Sequence, residues 1–228
     1  MLENRLHTEE LMDNPALPEP TYRKVLADLS RVNRVTMAYR PTLDFLERAI
    51  GNRTSFKLLD VGFGQGDMLR EIAQWAKDRG IAAELVGVDL NARSEKAARD
   101  ATPDELPITY RTGDYGELIE HSWDFVISSL VAHHMTREEL VLFLQFMESE
   151  ARLGWFINDL HRHTLSFIGY PLLATIAGWH RIVRQDGQTS IARSFRPHEW
   201  DALFEEAGIP KAEVERFFPF RLCVSRIR

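Results

Sequence analysis

The residues of this chain with the most chemistry in them are Asp60-Val61-Gly62-Phe63-Gly64-Gln65-Gly66-Asp67. Three glycines at alternate positions let a backbone turn sharply and let a ligand lie against it. Apolar Leu58-Leu59 precede this loop, and an amphipathic stretch follows it. Further on, a second apolar run ends in Asp89-Leu90. Strand, glycine loop, helix, strand and acid together describe a nucleotide-type cofactor site in a doubly wound sheet. The dinucleotide spacing is G-x-G-x-x-G, with a pyrophosphate on the helix N-terminus. Here it is G-x-G-x-G, and Asp67 follows. Asp60 and Asp67 flank the loop and would repel a pyrophosphate. They suit a positively charged ligand. S-adenosylmethionine carries a sulfonium and an ammonium and no phosphate, so it is the expected cofactor. Asp89 would accept hydrogen bonds from its ribose hydroxyls.

A second set of residues could move protons. Ligands of open α/β sheets bind at the carboxyl ends of the strands. His133 and His134 lie past the apolar run 125–129, and His161 lies past 154–158. A phenol titrates near pH ~10 and a histidine near ~6.5, so an imidazole is a natural general base for such an acceptor. His133, His134 and His161 are therefore the catalytic candidates. Adjacent histidines on a turn diverge, so at most one of the first two is expected to face the site. Asp159 stands two positions before His161 and could orient it. No metal is expected: Asp159 alone is too few oxygen ligands for Mg²⁺, and His161-x-His163 has no third ligand at a sensible spacing.

The elements that position these groups alternate as a parallel sheet requires. Strands are expected at 57–61, 84–89, 108–112, 125–129 and 154–158, with helices at 67–79, 92–101 and 137–150. A short turn is expected at 151–154. The run 165–179 is too apolar all round for a solvent-facing helix; it is buried, lines a hydrophobic cavity or packs in a dimer. A basic polar connection with a turn at Asp186-Gly187 is expected over 181–193, then a helix over 197–207. Two closing strands near 212–217 and 221–226 complete seven. Before the sheet, residues 1–20 read as an extended arm with a short helix over 8–12. Helices follow from Thr21 and up to Gly51.

As a set, Asp60, Gly62, Gly64, Gly66 and Asp89 resemble motif I and the following acid of the class I S-adenosylmethionine-dependent methyltransferases. Closest in character are the small-molecule enzymes of ubiquinone and menaquinone biosynthesis. The resemblance implies a Rossmann-like fold: a doubly wound, seven-stranded, mostly parallel sheet with a helical lid. It implies that Asp114 contacts the adenine amino group and Tyr115 packs on the ring. It also implies that Ser128 and Ser129 line the cofactor edge, beside Leu90. Residues 1–50 would form an arm and lid helices, and 51–228 the catalytic domain, with 160–193 as a lid insertion. The apolar lid implies a hydrophobic or aromatic small-molecule acceptor. O-methylation of a phenol, polyketide or quinol is the leading expectation. C-methylation of a quinone-like ring and a catalytically silent binding module are the alternatives.

Bulk properties narrow the classes. The 228 residues suit one domain with a lid. A net charge of −6 argues against a nucleic-acid partner. Cys223 is the sole cysteine, which excludes an internal disulfide. No run of apolar residues reaches membrane-spanning length and no signal peptide is evident, so a cytoplasmic protein without stable membrane insertion is expected. A homodimer remains open.

Overall fold

The computed structural model describes residues 2–119, 122–209 and 212–228. Its centre is a seven-stranded sheet: β1 (Ser55–Val61), β2 (Ala82–Asp89), β3 (Ile108–Thr112), β4 (Trp123–Ser129), β5 (Ala151–Leu160), β6 (Glu213–Phe217) and β7 (Arg221–Ile227). The order is β3-β2-β1-β4-β5-β7-β6. The first five strands are mutually parallel, and β7 runs antiparallel to both its neighbours. The eight helices among the described residues are α1 (Glu19–Val35), α2 (Arg40–Ile50), α3 (Asp67–Asp78), α4 (Ala92–Ala101), α5 (Arg137–Glu150), α6 (Thr164–Ile176), α7 (Arg181–Arg193) and α8 (Trp200–Ala207).

Strand side chains alternate between faces. Leu58, Leu85, Phe125 and Phe156 pack with Phe45 and Leu46 of α2 and with Leu69 and Ile72 of α3. Leu59, Val86, Val126 and Trp155 pack with Phe143 and Met147 of α5 and with Trp200 and Leu203 of α8. Both faces are apolar because both are covered, which is why these strands read as continuous hydrophobic runs. The strand order reverses between β1 and β4, so a crevice opens at their carboxyl ends. The β4 register is tied there by Ser128 Oγ, which donates to the Val61 carbonyl at 2.9 Å.

Three local expectations are corrected. Residues 181–193 are not a connection but helix α7. Its Gly187 is required by packing, since a Cβ there would overlap the Tyr170 ring. No turn separates α5 from β5; the strand begins at Ala151, directly after Glu150. The short helix of the N-terminal arm is a 3₁₀ turn at Leu11–Asp13 rather than one over 8–12. Helix α6 meets one of the surroundings expected for it, the cavity wall, and departs from the expectation that this run does not face solvent. Ser166, Gly169, Tyr170 and Leu173 line a cavity, while Ile168, Leu172 and Ile176 are exposed on the surface.

Candidate active site

The glycine loop leaves β1 and enters α3 in a left-handed conformation at all three glycines, with φ of 79°, 55° and 73° at Gly62, Gly64 and Gly66. A Cβ at Gly62 would overlap Val131, and one at Gly66 would overlap the Tyr110 ring. Glycine is needed at these two positions for space as well as for φ. Gly64 has open space beside it, its nearest neighbour being Leu26 Cδ2 at 3.9 Å. Its N–H donates to Asp89 Oδ2 at 2.9 Å. Asp89 Oδ1 accepts from the Asn91 N–H at 2.8 Å. The acid at the end of β2 is thus clamped to the loop, with further lone pairs on both oxygens.

Above the loop lies a cavity of about 940 Å³, at the upper end of ligand-site sizes. Of the expected cofactor residues, Asp60, Gly62, Gly64, Asp89, Leu90, Tyr115 and Ser129 line it. Gly66, Asp114 and Ser128 do not. Gly66 shapes the turn from behind, and Ser128 is engaged with Val61. Asp114 is exposed and caps a short 3₁₀ turn by accepting from the Gly116 N–H at 2.7 Å. Tyr115 packs on Phe143 and Phe146 of α5 with one part of its ring.

Asp60 is 1 % exposed, and its Oδ1 has no hydrogen-bond partner. Burial, followed by the nearby Asp67 and Asp89 carboxylates, holds it well above the usual carboxylate range. Asp67 accepts from Tyr39 Oη at 2.7 Å and Asn33 Nδ2 at 3.0 Å, which joins the loop to the N-terminal helices. An orphaned buried carboxylate oxygen beside a glycine cradle fits a cationic ligand that approaches the backbone closely. These residues therefore fit S-adenosylmethionine.

The free protein should show this strain. Because Asp60 is raised in the folded state, folding takes up a proton between the unfolded pKa and the folded one. Stability from this group is fully present below about pH 4 and is lost as pH rises through the folded pKa. Asp60→Asn is expected to raise the melting temperature of the ligand-free protein at neutral pH, by roughly 1 kcal/mol or more in stability. The same change is expected to weaken S-adenosylmethionine binding at least about tenfold, on the scale of one charge-assisted contact. Thermal melts with and without the cofactor check both; a lower melting temperature for the ligand-free variant would contradict the assignment.

The histidines are arranged differently from expectation. His133 and His134 both line the cavity, although adjacent positions were expected to diverge. They sit in a 3₁₀ turn, Ala132–His134, and their rings nonetheless meet, with centroids 4.3 Å apart. Asp159 does not orient His161. Its Oδ1 lies 2.7 Å from His133 Nδ1, and its Oδ2 accepts from the His133 N–H at 2.9 Å. Burial works against the charged imidazolium of His133, but Asp159 and then Glu10 outweigh it and hold the ring up to about 9. His161 lies outside the cavity lining and is pushed down to about 4 by burial, then by Arg216 and other nearby cations.

Sequence reasoning expected the N-terminal arm but missed the residue it brings to the site. Glu10 is 5 % exposed and lies in the cavity wall, 3.4 Å from His133 Nε2 and 3.7 Å from His134 Nε2. Ser190 Oγ of α7 donates to it at 2.6 Å. The Leu11 and Met12 N–H groups donate to the Asp186 carboxylate, each at 2.9 Å. Arg193 donates to the carbonyls of Thr8, His133 and His134. The arm is thereby strapped across α7 and the histidine turn. No periodic pattern marks a strap of this kind; the Glu9-Glu10 pair was its sole signal.

Residues 58–150 match the family described as "Methyltransferase domain". No curated protein matches the chain. Among solved structures, the chain is similar to the plantazolicin methyltransferase BpumL in complex with SAH, at 16% identity and TM-score 0.69, covering 92% of this chain and 90% of that one. It is similar to the magnesium protoporphyrin IX methyltransferase ChlM of Synechocystis PCC 6803 with bound SAH, at 17% identity and TM-score 0.59, over 95% and 91% of the two chains. Human N-acetylserotonin methyltransferase in complex with SAM aligns at 15% identity and TM-score 0.67, over 96% of this chain and 59% of its own. The fold is that of the class I methyltransferases.

Proposed function

We propose that this chain, which carries a methyltransferase domain over residues 58–150, transfers the methyl group of S-adenosylmethionine to a hydroxyl of a hydrophobic or aromatic small molecule. The observation that carries this reading is one continuous cavity. It holds the glycine loop with the unpartnered Asp60 oxygen, the His133–His134 pair, and an apolar wall from Val25, Leu29, Leu165, Leu173 and Val183. The structural relatives crystallised with SAM or its demethylated product SAH support the donor.

S-adenosylmethionine supplies a methyl group already activated by its sulfonium charge. Asp60 and Asp89 hold the donor, with Tyr115 and Ser129 beside them in the wall. Residues 1–50 and 160–193 act as the lid that excludes water and aligns the two reactants. His133 and His134 stand beside the place an acceptor hydroxyl can occupy. His133, held up to about 9, is protonated at neutral pH in the ligand-free protein, so His134 is the ring that can take the proton, with His133 positioning it. Their carboxylate partners Asp159 and Asp13 hold the rings in place. A role for His161 is disfavoured by its place outside the cavity.

The reading is tested with a panel of phenols, quinols and polyketides, following methylated product by mass spectrometry and its position by NMR. O-methyl product is expected; product methylated on carbon would favour the ring-methylating alternative. His133→Ala and His134→Ala are expected to keep SAH affinity within about threefold and to lower turnover by about 10²-fold or more, as loss of proton-transfer assistance does. His161→Ala should lose at least tenfold less than either, by the same scale. Full turnover in both His133→Ala and His134→Ala would remove the histidine pair from the mechanism.

A further inference from the structure

We propose that Glu10, His133 and His134 form a binding site for a divalent transition-metal ion, with zinc the best fit, opening into the cavity that holds the glycine loop. Glu10 Oε1 stands 3.4 Å from His133 Nε2 and 3.7 Å from His134 Nε2. The three ligand atoms all lie within 4.8 Å of one another. With metal–ligand bonds of about 2.0–2.1 Å, tetrahedral ligands stand about 3.4 Å apart. Small side-chain adjustments therefore bring all three onto one ion. Two histidines and a glutamate form the three-ligand set of a catalytic zinc centre, which keeps its fourth position open. Here that position belongs to the cavity, because all three residues line it.

Two further observations point to a cation. His133 is 2 % exposed, and its Nε2 has no hydrogen-bond partner even with Glu10 adjacent. At 3.4 Å the Nε2–Oε1 separation is longer than a good hydrogen bond and equals that of two ligands on one tetrahedral ion. Each imidazole is also backed at its other nitrogen. Asp159 Oδ1 lies 2.7 Å from His133 Nδ1, and Asp13 Oδ2 lies 3.4 Å from His134 Nδ1. Carboxylates behind metal-ligating histidines fix the tautomer that presents the Nε2 lone pair to the ion. The third ligand is steadied in the same way by Ser190 Oγ. A Mg²⁺ site would want more oxygen ligands; imidazoles with one carboxylate suit zinc and its neighbours.

The site deepens the proposed function and, for this step, rests on it. With the ion bound, both imidazoles are ligands and no longer take the proton, so the ion replaces them in that step: an acceptor hydroxyl at the open position would have its pKa lowered and release its proton to water. The acceptor oxygen's electron pair then forms the new bond to the methyl carbon. The carbon–sulfur bond breaks, and its pair stays on sulfur as a neutral thioether.

The test uses the full chain after chelator treatment. Co²⁺ is titrated with visible absorption as the readout, and Zn²⁺ by calorimetry. One equivalent is expected to bind saturably. Glu10→Gln and His134→Asn should each weaken binding at least tenfold, and Asp159→Asn by about 10–100-fold. SAH affinity is measured on the same samples and should be retained, which shows that the variants fold and keeps this test separate from that of the methyltransferase reading. Absence of one-equivalent binding by the wild type, or unchanged affinity in both Glu10→Gln and His134→Asn, overturns the site.

Discussion

Asp89→Ala is expected to lower the affinity for S-adenosylmethionine by at least about 100-fold. The carboxylate sits at the end of β2, where it bonds the Gly64 and Asn91 N–H groups and lines the cavity. Burial raises its pKa, with those same N–H groups and Ser94 acting against the rise. The acid is partly buried and held in the cavity wall by these two N–H groups. Hydrogen bonds to a charged group each contribute about 1.5–3 kcal/mol. Losing two ribose bonds gives roughly 3–6 kcal/mol, or a factor of ~10² and more. Alanine also frees the Gly64 N–H and loosens the loop. Calorimetry with SAM and SAH checks this, and an unchanged dissociation constant would sink the cofactor assignment. Circular dichroism should show the fold retained, because the Asp89 side chain is not part of either core.

Gly62→Ala should have the larger effect on stability. The residue has φ of 79°, and its added Cβ would overlap Val131 in the segment after β4. A left-handed non-glycine residue costs about 1–2 kcal/mol, and forcing a methyl into packed space costs about 1–3 more. The total of roughly 2–5 kcal/mol is a large share of a domain's stability. The comparison is Gly64→Ala, where the nearest neighbour is at 3.9 Å and only the backbone term applies. Denaturant unfolding should rank Gly62→Ala well below Gly64→Ala. Equal losses would mean that backbone conformation alone, and not the approach of Val131, demands glycine at 62.

Much of the fold was legible because its signals are local. The boundaries of α4 and α5 and of β3 follow directly from apolar spacing, the Thr136 capping box and the Thr102-Pro103 stop. Helix α7 was not legible. Its composition is polar and it contains Asp186-Gly187, so propensity reads a turn. The helix exists because Val183 and Ile191 are buried beneath it and because Asp186 accepts from the N-terminal arm. Tertiary contacts there outweigh a helix-interior glycine, which costs about 1 kcal/mol.

The candidate site divides along the same line. Asp60 and the glycines share one loop, and Asp89 ends the next strand, which pairs directly with β1. One strand–loop–helix–strand unit thus made their place at the cavity legible, while Asp114 and Ser128, drawn from later strands, fall outside its lining. The histidine end depended on chain crossings that spacing does not encode. Asp159 was visible as a partner for a histidine, but the parallel pairing of β4 with β5 carries it to His133 rather than to the nearer His161. Glu10 is 123 positions from His133, and only the strap of the arm over α7 brings the two within 3.4 Å. Contacts of that separation arise from burial of the whole chain, not from any local pattern. The tertiary structure alone therefore decided which groups face the acceptor.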